Sequence, residues 1–269
     1  MENPATEKAI DILAERVLES GVQPIKTLFT PVFDCYSAQT VAYVGKTYLA
    51  GGSLGILTPE EYLPVIDNLK TALAVLTATL GDFCEQSACF SLDLYRIEFF
   101  SFPAALSCLS DENLYNSLHS LTASYRALRG KICLVFDKNV LCKDENLLVK
   151  AFADIRSAGL KIAIKGFGDK YMPLSLLGVV TPDYLFLNGK ETAKAEDKKL
   201  FAPVGALIKY AINLGIKSIA ENAKTDKGIR ELSLVECFGA TVCDGYKGLR
   251  SAVGEKTLEC IANEKEDSE

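Results

Sequence analysis

The sequence predicts a (β/α)8 barrel, in which eight strands close into a cylinder that helices surround. Eight apolar, strand-like runs recur along the chain, and helical stretches separate most of them. The length of 269 residues is close to the ~250 residues typical of such barrels. Several runs, such as Lys131–Phe136 and Leu160–Ile164, are apolar without alternation, as expected for parallel strands covered on both faces.

The chain divides into three predicted parts. An amphipathic helix within residues 1–24, with Ile10 and Leu13 at helical spacing, is expected to pack on the barrel. The barrel spans residues 25–260, and the charged end, residues 261–269, is expected to be disordered. The eight predicted strands are Ile25–Phe33, Thr40–Leu49, Ala88–Leu94, Ile132–Phe136, Leu160–Ile164, Tyr184–Leu187, Ile216–Ala220 and Ala240–Cys243.

The predicted helices carry recognisable start and stop signals. The clearest begins after Thr58, a good N-cap, with Pro59 at the first helical position and Glu61 completing a capping box. Gly159 and Gly215 follow two of the helices, as C-terminal stops do. The remaining helices are predicted at about Pro103–Leu128, Glu145–Ala158, Ala202–Leu214 and Asp226–Phe238.

The link between the first two strands is unusually short for a barrel of parallel strands. Only Asp34–Gln39 joins them, whereas a parallel crossover needs a dozen or more residues. We therefore expect the first strand to run antiparallel to the others.

Composition excludes several classes of function. The formal charge of −6 is spread along the chain, which argues against binding to nucleic acid or to an acidic membrane surface. No apolar run approaches the ~20 residues of a membrane span, and the N-terminus lacks a signal-peptide pattern, so a cytoplasmic location is expected. Nine cysteines without a Cys-x-x-Cys pair and a single histidine, His119, argue against a zinc site. His119 lies in a predicted helical stretch and is interpreted as a partly buried helix residue, not as a catalytic one.

Three segments carry a family resemblance: GILTPEEYLPVID, the unit Leu160–Asn188, and the stretch from Asn213 to Gly248 that contains IAEN and DGYKG. In order and spacing they resemble the EAL family, the bacterial cyclic di-GMP phosphodiesterases, over about Ile25–Ser251. The resemblance implies a TIM-like barrel of the EAL type, whose first strand runs against the rest. The residues of the middle unit that keep the family frame are Phe167, Gly168, Tyr171, Leu174 and Asp183.

The resemblance also implies where metal ligands and phosphate contacts should lie, and most of these positions carry other residues. The glutamate of Glu-Ala-Leu corresponds to Val44, and the arginine that grips phosphate corresponds to Tyr48. The first glutamate after the fourth strand corresponds to Val135. The metal-binding pair of aspartates falls on Lys165 and Gly166. The chain is thus identified as a degenerate member that lacks the catalytic motifs.

The other positions of the implied site are mixed. The catalytic lysine corresponds to Phe186, and Asn188 stands where an aspartate is usual. Asp93 replaces the ligand asparagine after the third strand, Asp244 replaces a glutamine, and Glu221 is retained. We predict no catalytic residue, no metal and no cofactor, because two-metal hydrolysis needs several oxygen ligands around ions ~3.5–4 Å apart.

What remains is predicted to be a vestigial polar pocket at the carboxyl ends of the strands. In this pocket Lys165 would pair with Asp93 or Glu221 to satisfy buried charge; a repurposed binding pocket is the competing interpretation. The predicted members of the pocket are Asp93, Asp137, Lys165, Asp183, Asn188, Glu221 and Asp244.

These positions favour a catalytically inactive, EAL-like regulatory or protein-interaction module in bacterial signalling. Two alternatives stay open: a receptor that holds cyclic di-GMP or another nucleotide without hydrolysing it, and a barrel enzyme of unrelated chemistry, such as one using Lys165 as a Schiff-base nucleophile. Tyr48 in place of the arginine argues against cyclic di-GMP binding. An unidentified protein partner, or a second copy in a homodimer, is expected at about Asn188–Pro203.

Overall fold

The computed structural model of the protein describes residues 25–50, 55–64, 66, 69–88, 96–123, 128–169 and 172–240. The predicted N-terminal helix within residues 1–24 and the charged end at 261–269 lie outside these ranges, as does all but the first residue of the last predicted strand. Within the described ranges, no helix combines the length and the apolar character that a membrane span requires.

The described strands form one sheet that closes into an eight-stranded α/β barrel. The sheet order is β1-β9-β8-β7-β6-β5-β4-β2-β3, and pairing of β1 with β2 closes the cylinder; β3 is a two-residue extension at its edge. The strands are β1 (Ile25–Asp34), β2 (Thr40–Ala50), β3 (Ile56–Leu57), β4 (Phe99–Pro103), β5 (Ile132–Asp137), β6 (Lys161–Phe167), β7 (Tyr184–Leu187), β8 (Lys217–Glu221) and β9 (Phe238–Ala240).

The first strand runs against its barrel neighbours. β1 is antiparallel to β2 and to β9, while the pairs from β2–β4 through β8–β9 are parallel. The turn between β1 and β2 is held by Asp34, whose Oδ1 accepts hydrogen bonds from the backbone amides of Tyr36 (2.7 Å) and Ser37 (3.0 Å). The structure confirms the predicted barrel and its antiparallel first strand.

Helices cover the outside of the barrel. At the first of them Pro59 is the first helical residue, and Glu61 Oε2 accepts a hydrogen bond from the Thr58 backbone amide at 2.7 Å, as the capping signal predicts. The helices are α1 (Pro59–Tyr62), α2 (Leu69–Ala88), α3 (Leu114–Ala123), α4 (Glu145–Ser157), α5 (Leu174–Val180), α6 (Gly189–Thr192), α7 (Lys198–Asn213) and α8 (Asp226–Ser233), with 3-10 turns at Leu106–Ser110, Lys138–Cys142 and Ala193–Glu196.

The third barrel strand does not lie at the predicted Ala88–Leu94, of which residues 89–94 are outside the described ranges. Ala88 ends the long helix α2, and the third strand of the barrel is β4, whose Phe99 pairs with Ala42 of β2. β4 is apolar on both faces, with three phenylalanines that are completely buried. Asp93 therefore precedes the third strand along the chain instead of following it. The predicted helix from Pro103 to Leu128 is correspondingly shorter, since α3 begins at Leu114.

The strands separate two apolar layers, because successive side chains of a strand point to opposite faces. The outer layer packs under the helices; in it Phe83 of α2 contacts Phe29, Phe100 and Phe102, with ring centroids 4.9–5.7 Å apart. The inner layer fills the barrel below the carboxyl ends of the parallel strands. Its buried members are Val32, Ala42, Phe99, Cys133, Ala163, Tyr184, Phe186, Ile219 and Ala240.

Candidate functional site

Four charged side chains meet at the carboxyl ends of the barrel strands and form what we call the mouth network: Lys46, Glu60, Lys165 and Glu221. Lys165 Nζ lies 3.4 Å from Glu221 Oε1 and 3.6 Å from Glu60 Oε1. Lys46 Nζ lies 2.9 Å from Glu60 Oε2. Positive and negative side chains alternate in the contact order Lys46–Glu60–Lys165–Glu221, so two ammonium groups balance two carboxylates. In α/β barrels this end of the strands hosts the active site.

The strands aim these side chains by their alternation. Lys165 is two residues beyond Ala163 on β6, and Glu221 is two residues beyond Ile219 on β8; both preceding residues belong to the inner layer. The mouth network therefore lies directly above the inner apolar layer, at the carboxyl ends of the strands. Glu60 reaches it from α1, which follows β3.

Burial and pairing act against each other on the ionisation of the network. Burial alone would lower the pKa of Lys165, but the attraction of Glu221 and Glu60 outweighs it and raises that pKa above its ordinary value. Burial raises the pKa of Glu221, and Lys165 offsets only part of this effect. Burial also opposes ionisation of Glu60, yet its contacts with Lys46 and Lys165 leave its pKa lowered. Lys165 is thus held firmly as an ammonium ion.

A bulge in β6 follows Lys165 directly. The pairing with β7 shifts between Lys165 and Phe167, and Gly166 adopts a left-handed backbone with φ of +88°. A Cβ atom at Gly166 would lie 3.2 Å from Lys138 Cδ and 3.3 Å from Asp169 Oδ2. The position next to Lys165 thus favours glycine for its backbone and leaves little room for a longer side chain.

A second polar cluster flanks the bulge. Lys138 Nζ lies 3.0 Å from Asp169 Oδ2, and Asn188 Nδ2 donates to Asp169 Oδ1 at 2.9 Å. Asn188 Oδ1 also accepts from the Lys190 amide at 2.8 Å and so caps α6. Asp137 is exposed, and its Oδ1 caps the following 3-10 turn by accepting from the Asn139 amide at 2.9 Å. Asn188 and Asp137 therefore have local structural partners.

The predicted pocket residues divide into three groups. Lys165 and Glu221 come together as a pair, while Asp137 and Asn188 lie in the loops at the same end of the barrel. Asp183 lies at the opposite end, just before β7, where its Oδ2 accepts from the Ile162 amide at 2.9 Å. Its inclusion in the pocket is a misplacement, because a residue that precedes a parallel strand sits at the amino end. Asp93 and Asp244 lie outside the described residues.

The predicted list of pocket residues omitted Lys46, Glu60 and Asp169. Lys46 could have been predicted from the sequence: it is two residues beyond Val44 on β2, so its side chain points to the same face, toward the inside of the barrel. Asp169 could also have been predicted, because it follows the glycine turn at the end of β6. Glu60 could not, because it reaches the site from a short helix whose placement over the barrel depends on tertiary packing.

The described residues at this end do not fit the pair of divalent cations that the resemblance implies. No three acidic, histidine or cysteine side chains converge within the part of the chain that the structure describes. Glu60 and Glu221 are each already in contact with an ammonium group, and Val44 and Val135 pack against the inner layer with no oxygen to donate.

The fold and site define an α/β barrel whose polar mouth lies at the carboxyl ends of its parallel strands. The EAL domain matches residues 16–246, and the chain belongs to this family. EAL domains occur in bacterial cyclic di-GMP signalling proteins. No curated protein matches the sequence.

Solved structures share the fold at low sequence identity. The EAL enzyme Bd1971 in its cGMP-bound form is 14% identical with a TM-score of 0.76, covering 93% of this chain and 70% of that one. PaMucR phosphodiesterase in complex with cyclic di-GMP is 16% identical with a TM-score of 0.74, covering 92% and 99%. Vibrio cholerae LapD S helix-GGDEF-EAL bound to cyclic di-GMP is 13% identical with a TM-score of 0.71, covering 87% and 56%.

Proposed function

We propose that this EAL domain is catalytically inactive and acts as a regulatory, protein-binding module in cyclic di-GMP signalling. The observation that carries the proposal is the ammonium group of Lys165, which lies between Glu221 and Glu60. The resemblance implies one of the two metal-binding aspartates at this position. An ammonium group there satisfies the neighbouring carboxylates and repels a divalent cation.

Apolar substitutions support the same proposal. Val44 and Val135 stand where the resemblance implies glutamate ligands, and both pack against the inner layer of the barrel. Two-metal hydrolysis requires oxygen ligands that hold both ions and activate water. Phe186, which is buried in the inner layer, stands where the catalytic lysine is implied. Several independent positions thus support the proposed absence of activity.

A phosphodiesterase assay tests the proposal directly. The purified full chain is incubated with cyclic di-GMP and either Mg²⁺ or Mn²⁺, with PaMucR phosphodiesterase as the positive control. We expect no hydrolysis above the buffer background. We also expect none from Lys165→Asp, because Val44 and Val135 still supply no oxygen. Metal-dependent turnover by the unmodified chain would contradict the proposal.

The receptor alternative makes a different prediction for binding. Two relatives with this fold, PaMucR phosphodiesterase and LapD, are seen with cyclic di-GMP. Phosphates need cationic or backbone donors, and Lys46 and Lys165 at the mouth are cationic. Each is already in contact with a carboxylate, so we expect no calorimetric signal with cyclic di-GMP, with or without Mg²⁺. Binding that is lost in Lys46→Ala, without hydrolysis, would favour the receptor.

We place the partner-binding surface at the segment Asn188–Pro203. This segment contains α6, a 3-10 turn and the start of α7, where Leu200 is 58% exposed. The neighbouring Lys198 is largely exposed, and its Nζ lies 3.6 Å from Glu231 Oε1 of α8. Leu234, which follows α8, is also highly exposed. The surface therefore offers apolar side chains beside lysines, which suits a protein partner or a second copy of the chain.

Light scattering across a salt series tests this surface. Association through it should weaken as salt is added, because exposed charges are screened. The variant Lys198→Glu/Lys199→Glu should reduce self-association or partner capture. A matched control, Lys143→Glu/Lys150→Glu, carries the same charge change on exposed residues around α4 and should leave association unchanged. Equal effects of the two variants, or a monomer whose partner capture ignores both, would remove the segment from consideration.

A further inference from the structure

Two cysteines face each other at the seam where β1 meets β9. The antiparallel register of this seam pairs Val32 with Ala240, Phe33 with Gly239 and Asp34 with Phe238. Because the strands are antiparallel, residue numbers that increase along β1 pair with residue numbers that decrease along β9. Extending this register by one pair, just beyond the ends of both strands, brings Cys35 opposite Cys237.

The two thiols also lie on the same side of the sheet. Val32 and Ala240 both belong to the inner layer, while at the next pair the Phe33 ring lies over Gly239, where a Cβ atom would be only 2.5 Å from Phe33 Cζ. Alternation returns Cys35 and Cys237 to this outer face. Both are in the outer apolar layer, at 8% and 2% exposure.

The spacing of such a pair suits a disulfide. Directly opposed residues of antiparallel strands have Cα atoms about 4.5–5.5 Å apart, which falls inside the ~4.4–6.8 Å range of disulfides. Cys35 and Cys237 are both reduced in the structure. Cys237 Sγ lies 3.4 Å from the carbonyl oxygen of Ser218.

A cleft borders Cys237, one member of the pair. A cavity of about 480 Å³ at the amino end of the parallel strands is lined by Cys237 together with Asp34, Tyr36, Lys217 and Phe238, among others. A small disulfide can enter a space of this size. The thiols are almost fully protonated at neutral pH, so exchange at this pair is slow: burial, helped by Asp34, raises the pKa of Cys35 to about 12, and burial raises that of Cys237 well above its ordinary value.

We propose that Cys35 and Cys237 are a redox modification site, which small disulfides such as oxidised glutathione convert to an intramolecular disulfide. The two S–H bonds break and one S–S bond forms. The two electrons reduce the incoming disulfide, and the two protons end on the two small thiols that leave. The bond ties the β1–β2 hairpin to β9 at a seam that has three register pairs within the described residues. Oxidation therefore stiffens the closure of the barrel.

Peptide mapping of the oxidised full chain tests the site. The chain carries Cys142→Ser, which removes an exposed thiol, and is incubated with oxidised glutathione for hours, because exchange of protonated thiols is slow. After alkylation and non-reducing digestion, we expect one linked peptide pair that joins Cys35 to Cys237. The thiol count of the denatured protein should fall by two, and the melting temperature should rise by ~5–10 °C.

Cys35→Ser should abolish the linked peptide, the loss of two thiols and the rise in melting temperature. If this variant does not fold, peptide mapping of the parent chain still shows whether Cys35 and Cys237 become linked. Mixed disulfides with glutathione alone, linkage of either residue to another cysteine, or full retention of both thiols overturns the proposal. Reduction with dithiothreitol should reverse the shift in melting temperature, and an irreversible shift counts against a reversible site.

Discussion

Lys165→Met measures how much the mouth network contributes to stability. The substitution keeps a side chain of similar length and removes the ammonium group that contacts Glu221 and Glu60. At the 3.4 Å separation of Lys165 and Glu221, Coulomb's law gives about 1 kcal/mol in water and about 5 kcal/mol at an effective dielectric constant of about 20. The Lys165 side chain is 43% exposed, so solvent screening places the loss near the lower value.

We therefore expect Lys165→Met to lower the free energy of unfolding by about 1–2 kcal/mol, since Glu221 is left partly buried without its cation. For a chain of this size the melting temperature should fall by ~2–8 °C. Circular dichroism during thermal and urea unfolding measures both quantities. Lys199→Met, on the exposed start of α7, is the matched control and should change stability by less than ~0.5 kcal/mol.

The pH dependence sharpens this prediction. The raised pKa of Lys165 means that its contribution is fully present below the ordinary lysine pKa and is lost as the pH rises through the folded-state value. In the variant, Glu221 loses the ammonium group that contacts it among the described residues, so its already raised pKa should rise further. The deficit of the variant should then shrink in acid, where Glu221 binds a proton. Adding Glu221→Gln to Lys165→Met should recover part of the loss. An unchanged melting temperature, or a deficit that ignores pH, would refute the reasoning.

Three further substitutions probe the bulge beside the mouth, the inner layer and the amino end of the barrel. Gly166→Asp should destabilise the protein by about 1–3 kcal/mol, as urea titration would measure, because φ is +88° and the new side chain meets Lys138; a neutral result would contradict the bulge geometry. Phe186→Lys should cost more than ~3 kcal/mol or prevent folding, since it buries an ammonium group in the inner layer, and wild-type-like melting would count against this. Asp183→Ala should cost about 1–2 kcal/mol by leaving the Ile162 amide without its acceptor, and it should not alter the pH dependence assigned to Lys165.

Much of the barrel could be predicted because its strands are short apolar runs between capped helices. The capping box at Thr58 and Glu61 and the short link Asp34–Gln39 each had a local physical cause. The third strand could not be placed in the same way. Apolar residues continue from the end of α2 through Leu94 and again from Phe99, and periodicity alone does not decide which run forms the strand.

The site residues that lie at the ends of strands could be predicted from the sequence, whereas those that lie on the connecting segments could not. The pairing of Lys165 with Glu221 follows from the convergence of parallel strands at one end of the barrel. Glu60 was not predicted as a site residue, because it lies on helix α1 and not at the end of a strand. Asp183 was wrongly placed in the pocket, because it precedes β7 and therefore lies at the amino end of that strand.

The mouth network also constrains how this domain can change by mutation. Its four members share their partners, so replacing Lys165 with an acid would place a third carboxylate beside Glu60 and Glu221 and leave Lys46 as the network's only cation. Gly166 adds a steric obstacle at the adjacent position. We therefore expect a single carboxylate substitution at Lys165 or at Gly166 to lower stability. The alternating charges make the four residues depend on one another, so building a metal-binding arrangement from them would need several coordinated substitutions.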